Sequence, residues 1–364
     1  MKIGLDANEA NVTNRVGSNQ FAYQVLCQLY KQDKKNSYLI FLKDKPVKDL
    51  PPVTDRWQYR LLRPGFFWTQ WRLPLSLYLD RPRPDIFFTL GHYAPRFSPL
   101  PTIISIMDLA YLKFPQTYLK KDLQKLKNWT KYSAKKASHI FTISQHSKKD
   151  IIKHYGVSQN KITVIYPAVN QPKGSSKITD KQIKGDYLLY LGTLQPRKNL
   201  VNLVKAFASL TPKNPQLKLV IAGKKGWLYQ SLFTLVKQLK LEKKVIFTGF
   251  VPPHSIHQLI KKAQALILPS LYEGFGIPVL QAMSFSTLIL VSQNSSLPEI
   301  VADTGIYIKP PFGSQEIEQG IIEVLALTQK QKKHLVNQAQ QRAKQFTWRK
   351  TGQKILEVIN ELTF

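Results

Sequence analysis

Apolar residues follow two rhythms along this chain. Short runs such as KIGLDA, YLIFL and DIFFTL are largely apolar and read as strands. Between them apolar positions recur every three or four residues. Phe21, Val25, Leu26 and Leu29 do so, which predicts a helix over Gly17–Lys31. TIISIMD, ending at Asp108, and HIFTIS are further strands, separated by a long basic helix. SKKDIIKHYG is a helix entered through Ser147 and closed by Gly156, and KITVIYPAV is the last strand of this half. Residues 171–185 break the rhythm with a polar stretch rich in Gly, Ser and Lys, which predicts a linker. The alternation restarts with DYLLYLGTL and NLVNLVKAFASL. It continues through LKLVIAG, KVIFTGF, ALILPS and TLILVS, with helical patterns between them, and from Ser314 onward the pattern is helical.

Strands alternating with helices imply parallel sheets. The expected architecture is therefore α/β, with two doubly wound, Rossmann-like domains facing across a cleft. The first spans 1–170, the linker 171–185 and the second 186–345. A length of 364 residues suits two domains, and 43% apolar residues are enough for two cores.

Charge changes the picture more than length does. Fifty-three basic residues against 22 acidic ones give a net +31, a field that attracts nucleic acid, anionic headgroups or phosphorylated small molecules. The excess is densest between Lys120 and Lys136, with seven lysines against Asp122. Acidic residues are scarce, so Glu273, in an apolar setting, stands out. There is no run of about 20 apolar residues that would span a membrane. MKIGLDANEA lacks a signal-peptide layout, and the single Cys27, read as a core thiol, fits a reducing cytosol. The expected location is cytoplasmic.

Ligands of doubly wound sheets bind beyond the carboxyl ends of the strands. The residues just after the apolar runs are therefore the candidates for chemistry. In the second half these are Thr193–Lys198, Gly223–Gly226, Gly249–Val251 and Glu273–Gly276; in the first, Asn14–Ser18 with Gly17, His92 and Asp108. In EGFGIP, Gly274 and Gly276 let the backbone approach a ligand, and Pro278 suits a first helical turn. The N–H groups of that turn favour an anionic or hydroxyl-rich ligand. Glu273 either accepts from sugar hydroxyls, faces a developing positive charge or caps the helix; a cap alone leaves the paired glycines unexplained. Arg197 and Lys198, between a strand and a helix, form a diphosphate clamp unless they are merely solvated. The two features together predict a nucleotide-diphosphate site.

Other chemistries find less support. No G-x-G-x-x-G follows the first strand, against a dinucleotide dehydrogenase, and no Walker sequence is present. His254 and His257 have no acidic or cysteine partner nearby and read as decoration of a surface helix. Without a D-x-D sequence, neither a metal site nor a cofactor is expected. The aromatics of Gly65–Leu79 fit core packing or a membrane-facing patch better than base stacking.

The ordered blocks resemble retaining glycosyltransferases of family four (glycosyl transferases group 1), which have the GT-B fold, over nearly the whole chain. LYLGTLQPRKNL resembles the strand, loop and helix that hold the donor diphosphate; LVIAGKKGW and VIFTGFVP resemble strands whose ends hold the nucleotide. LPSLYEGFGIPVLQAM resembles the donor-sugar segment, followed by VSQNSSLPEI. IGLDANEA and RVGSNQFAYQVL resemble the acceptor-side glycine loop and helix, SIMDLAYLKFP and FTISQHSKKDIIKHYG match further blocks, and FTWRKTGQKILEV resembles the terminal helix. The resemblance implies that Glu273 contacts the transferred sugar near its anomeric carbon and that the Gly274–Phe275–Gly276 backbone binds its hydroxyls. It implies that Arg197 and Lys198 neutralise the leaving diphosphate, which makes a metal unnecessary. Gln281, Gly249, Val251, Thr193 and Gly17 join the donor-binding set; Asp108 joins the catalytic one by orienting an acceptor or else structures its loop; and 346–364 packs back towards the first domain.

Two positions depart from the family pattern. Gln281 stands where a second glutamate usually holds the ribose, and Met107 where a histidine often precedes the aspartate. The leading expectation is a transferase moving a hexose, mannose favoured, from GDP-mannose to a lipid-linked or polysaccharide acceptor. The alternatives are a catalytically weakened sugar-nucleotide binder and a basic nucleic-acid-binding protein. Basic residues do not interleave with aromatics in a recognisable module, so no nucleic-acid partner is expected. An anionic membrane, at the inner face of the cell membrane, is expected to dock on Lys120–Lys136 together with Arg60, Arg63 and the Phe66–Trp71 aromatics.

Overall fold

The computed structural model describes residues 1–170 and 183–362; residues 171–182 of the expected linker lie outside the described residues. The chain divides into two units. The first runs from Met1 to Pro167 and takes in the C-terminal segment from Thr347; the second runs from Ala168 to Phe346.

Each apolar run becomes one strand. In the first unit these are β1 (Lys2–Asp6), β2 (Ser37–Leu42), β3 (Trp57–Leu61), β4 (Ile86–Thr89), β5 (Thr102–Ser105), β6 (His139–Thr142) and β7 (Ile162–Val164). They pair in the order β3-β2-β1-β4-β5-β6-β7. The second unit holds β8 (Tyr187–Leu191), β9 (Lys218–Ala222), β10 (Val245–Gly249), β11 (Ala265–Leu268), β12 (Leu288–Ser292) and β13 (Ile306–Ile308). Their order is β10-β9-β8-β11-β12-β13. All pairings between these strands are parallel. Parallel neighbours need crossover helices, which cover both faces and leave strands such as β8 and β11 buried along their whole length.

Two strands escaped the sequence pattern, and both are sheet edges. In β3 the side chains of Gln58, Arg60 and Leu61 face solvent, and β13 has only three residues, so neither makes a continuous apolar run. The aromatic stretch after β3 is a π-helical turn, Trp68–Arg72, continued by an α-helix, Leu73–Leu79. Cys27 is only partly buried rather than a core thiol.

The terminal helix Trp348–Glu361 packs on the helix Ser18–Gln32 of the same unit. Thr347 caps it, accepting from Lys350 N at 3.3 Å, and the Trp348 ring lies 5.9 Å from that of Phe21. Thr351 Oγ1 donates to the Tyr166 carbonyl at 2.6 Å.

In both sheets the strand order reverses once, between β1 and β4 and between β8 and β11. Loops leaving adjacent strands diverge at such a point and open a crevice. The strand ends beside it are closely set: a Cβ on Gly223, just after β9, would lie 1.9 Å from the Gly192 carbonyl oxygen that follows β8. Only glycine fits there.

Candidate active site

The loops after β8 and β11 meet at the reversal point of the second sheet. After β8 the chain forms a short turn, Pro196–Lys198, and Asn199, in the left-handed region at φ 61°, redirects it into the helix Leu200–Leu210. Asparagine tolerates that conformation better than most side chains. Its amide donates to the Phe312 carbonyl at 2.8 Å and fixes the turn. After β11 the chain passes through Glu273 to Gly276, at φ 100°, and enters the helix Ile277–Ser284 with Pro278 in its first turn. Leu271 N donates to the Arg197 carbonyl at 2.9 Å, so the two loops are tied through their backbones.

This brings Arg197, Lys198 and Glu273 together. Lys198 Nζ lies 2.5 Å from Glu273 Oε1, and Arg197 Nη1 lies 3.7 Å from Oε2 while also donating to the Tyr272 carbonyl. Glu273 is 6% exposed. Burial alone would raise its pKa, but the charges of Lys198 and then Arg197 outweigh it and hold the carboxyl below its usual 4.5. Glu273 does not cap the following helix, whose cap position, Gly276, has no side-chain cap bond. The result is a buried carboxylate flanked by two cations at a strand-end crevice. Such a set can exchange the carboxylate's partners for an incoming diphosphate and present a negative charge to the group it carries.

The other expected residues are spread over both units. Gly274, Phe275 and Gly276 follow Glu273 directly, and Gln281 lies half-buried on the helix Ile277–Ser284. The Thr193 carbonyl accepts from the Tyr190 hydroxyl at 3.1 Å. Gly249 and Val251 lie at the end of β10, two strands from β8, and flank Phe250, over whose ring Lys224 Nζ stands at 4.7 Å. Gly17 and Asp108 belong to the first unit. Gly17, at φ 52°, precedes the helix Ser18–Gln32. Asp108 Oδ1 accepts from Ala110 N at 2.9 Å, a contact that shapes its own loop. The half-buried ring of His92 feels the Asp108 charge, but burial dominates and lowers its pKa below the usual 6.5. Among the described residues, no group of three or more His, Cys, Asp or Glu side chains could hold a metal ion.

Sequence reasoning missed the hydroxyls that build this loop. Ser270 Oγ donates to Glu273 Oε1 at 2.7 Å, and Ser295 Oγ accepts from Glu273 N at 2.9 Å. Ser296 Oγ reaches the carbonyls of Glu273 and Phe275 at 2.9 and 3.1 Å. The signal available was the polar run Asn294–Ser295–Ser296 straight after the apolar run of β12, one strand from β11.

Two family models match the chain in succession. Residues 17–171 match Glycosyltransferase Family 4, and residues 174–342 match Glycosyl transferases group 1. The chain thus carries a Glycosyltransferase Family 4 domain followed by a Glycosyl transferases group 1 domain. O-antigen chain mannosyltransferase B of Escherichia coli is 28% identical over 218 residues, 57% of this chain and 57% of that protein. O-antigen chain mannosyltransferase RfbU of Salmonella typhimurium is 31% identical over 207 residues, 57% of this chain and 56% of that protein. The chain thus spans little more than half the length of these relatives. Among solved structures, Anabaena HepE in complex with UDP-glucose superimposes with a TM-score of 0.76 at 20% identity, covering 100% of both chains. The fold is GT-B, as the two parallel Rossmann-like sheets require.

Proposed function

We propose that this protein is a retaining glycosyltransferase that moves a hexose, with mannose favoured, from a nucleotide diphosphate sugar to a lipid-linked or polysaccharide acceptor. The observation that carries the reading is the buried Arg197–Lys198–Glu273 cluster at the reversal point of the second sheet. Lys198 and Arg197 neutralise the diphosphate as it leaves, and Glu273 faces the sugar as positive charge develops near its anomeric carbon. The Gly274–Gly276 backbone binds sugar hydroxyls, Gln281 the ribose, and Thr193 with Gly249–Val251 the nucleotide. The bond from the anomeric carbon to the diphosphate breaks while the acceptor oxygen bonds to the same face. The acceptor proton passes to the departing phosphate oxygen, so no covalent enzyme intermediate is needed. The relatives' names favour mannose, and with it GDP-mannose as donor. An anionic membrane surface is the remaining partner in this reading.

A thermal-shift screen of nucleotide sugars tests the donor, with GDP-mannose expected to stabilise most. The anomeric configuration of the product, read by NMR, tests retention; an inverted product would refute it. Met107 favours a second reading, a sugar-nucleotide binder with weakened catalysis. The methionine is buried where the family pattern has an imidazole, so no hydrogen-bonding ring occupies that position. Donor binding without turnover would select it.

A further inference from the structure

We propose that Phe66, Phe67, Trp71, Leu75, Tyr78 and Leu79 form a membrane-insertion face that seats the first unit in the headgroup layer of an anionic bilayer. The inference rests on the membrane contact in the functional reading and moves its anchor away from the lysine helix.

The helical segment Trp68–Leu79 is apolar on both sides. Trp68, Leu73 and Leu77 face inward and pack with Leu39, Phe41 and Phe87. Trp71, Leu75, Tyr78 and Leu79, at helical spacing i, i+4, i+7 and i+8, form an outer stripe that continues the paired rings of Phe66 and Phe67, 4.3 Å apart. Phe66 is 75% exposed, Trp71 74% and Leu79 66%. A surface helix ordinarily carries polar residues there, and a contiguous exposed apolar patch marks a contact face.

The charges around the stripe select its occupant. From Arg60 to Arg83 the chain carries five arginines (60, 63, 72, 81 and 83) against one acid, Asp80. Asp80 is already engaged, by Arg60 at 2.8 Å and Ser76 Oγ at 2.6 Å. Arg60 is therefore held by a carboxylate rather than offered to lipid. A second copy of the chain would bring like charges together. An anionic bilayer offers negative headgroups over an apolar interior, and interfacial aromatics with basic residues match both layers.

The helix Lys120–Lys136 has a different part. All its fully exposed positions are polar, so it attracts without inserting. It adjoins the stripe through the loop after β4. Tyr132 donates to the Arg96 carbonyl at 3.2 Å, Ala94 N to Ser133 Oγ at 3.0 Å, and Arg96 N to Gln70 Oε1 at 3.0 Å. Phe97, next to Arg96 in that loop, is also exposed.

Co-sedimentation with phosphatidylglycerol–phosphatidylcholine vesicles tests the assignment, using wild type, a Phe66→Ser/Trp71→Ser/Leu75→Ser variant and a Lys120→Gln/Lys121→Gln/Lys125→Gln/Lys131→Gln variant. The stripe variant should lose about a hundredfold in partitioning, with its residual binding abolished by salt. The lysine variant should lose binding at low salt but approach wild type at high salt. Quenching by brominated lipid should fall on Trp71→Phe. A thermal shift with nucleotide reports the second unit, and near-ultraviolet circular dichroism, to which the buried Trp57 and Trp68 contribute, reports folding of the first unit in every variant. Wild-type binding that the stripe variant retains would overturn this inference and leave the membrane contact standing. Wild type that ignores anionic vesicles yet responds to nucleotide would overturn both and leave the donor reading. A wild-type dimer that the stripe variant converts to monomer would overturn the lipid assignment in favour of a second copy.

Discussion

Lys198 and Glu273 stand 75 positions apart in the chain, yet their charged atoms lie 2.5 Å apart. The pairing satisfies a buried carboxylate and at the same time fixes a lysine whose flexible stem would otherwise wander. Because β8 and β11 are adjacent in the sheet, the loops carrying these residues start as neighbours. The sheet order therefore does the long-range work, and the side chains only close the last distance.

Replacing Lys198 by Ala removes one of two cations offered to a diphosphate. Nucleotide affinity is expected to fall by about 1.5–3 kcal/mol, the range for a hydrogen bond to a charged group. Stability should fall too, because among the described residues Glu273 then keeps only the more distant Arg197 as a cation. Calorimetric titration of GDP and UDP measures the first effect, and unchanged affinity for the preferred nucleotide would remove Lys198 from the clamp.

The lowered pKa of Glu273 gives an acid-limb prediction. Its ionised form is favoured in the folded protein, so its contribution is complete above the ordinary value of 4.5 and is lost as pH falls from there through the depressed value. Glu273→Gln has no charge to lose. The stability gap between wild type and variant, read from urea midpoints, should therefore narrow on acidification below 4.5. A gap that stays constant across that limb would show that Glu273 is not the group responsible.

Gly276 sits at φ 100°, and a Cβ there would lie 2.9 Å from Leu297 Cδ2. Gly276→Ala should cost about 1–2 kcal/mol from the backbone alone. It should also weaken nucleotide binding, because the Glu273 loop enters its helix at this residue. A lower urea midpoint with unchanged affinity would separate the loop's stability from its role in the site.

Much of this was legible in the sequence because parallel strands buried on both faces leave unbroken apolar runs. YLLYL and ALIL could be read, and the residues just beyond them marked the site. The edge strands could not be read: WQYRL buries only Trp57 fully, and a three-residue strand has no pattern to show. The union of Arg197 and Lys198 with Glu273 was inferable only from shared placement at strand ends. Ser270, Ser295 and Ser296 escaped because a loop hydroxyl has neither a charge to stand out nor a periodicity to obey. The outer stripe was visible as aromatics but not as a stripe, since Trp68, Leu73 and Leu77 make the inward face of the same segment equally apolar and no polar face marks the outside.

Transfer should proceed without a divalent cation. In the proposed mechanism, Lys198, Arg197 and the N–H groups at the start of the helix Ile277–Ser284 supply the positive charge that a metal would bring. Rates in excess EDTA are expected to match untreated enzyme. Activity lost on chelation and restored by magnesium or manganese would count against this use of the two cations.

The two departures from the family pattern make opposite predictions for binding and for turnover. Gln281 lies half-buried on the helix Ile277–Ser284 in the donor unit, whereas Met107 lies buried beside Asp108 in the first unit. Gln281→Glu replaces a neutral acceptor by a charged one for the ribose hydroxyls. It should raise nucleotide affinity about fivefold, the difference between a neutral and a charge-assisted hydrogen bond. Met107→His puts an imidazole next to Asp108 and should raise kcat while leaving nucleotide affinity unchanged. Calorimetry and initial rates on the two single variants and their combination separate the effects. If Met107→His leaves kcat where it was, the methionine does not limit turnover, and the weakened-binder reading loses the observation on which it stands.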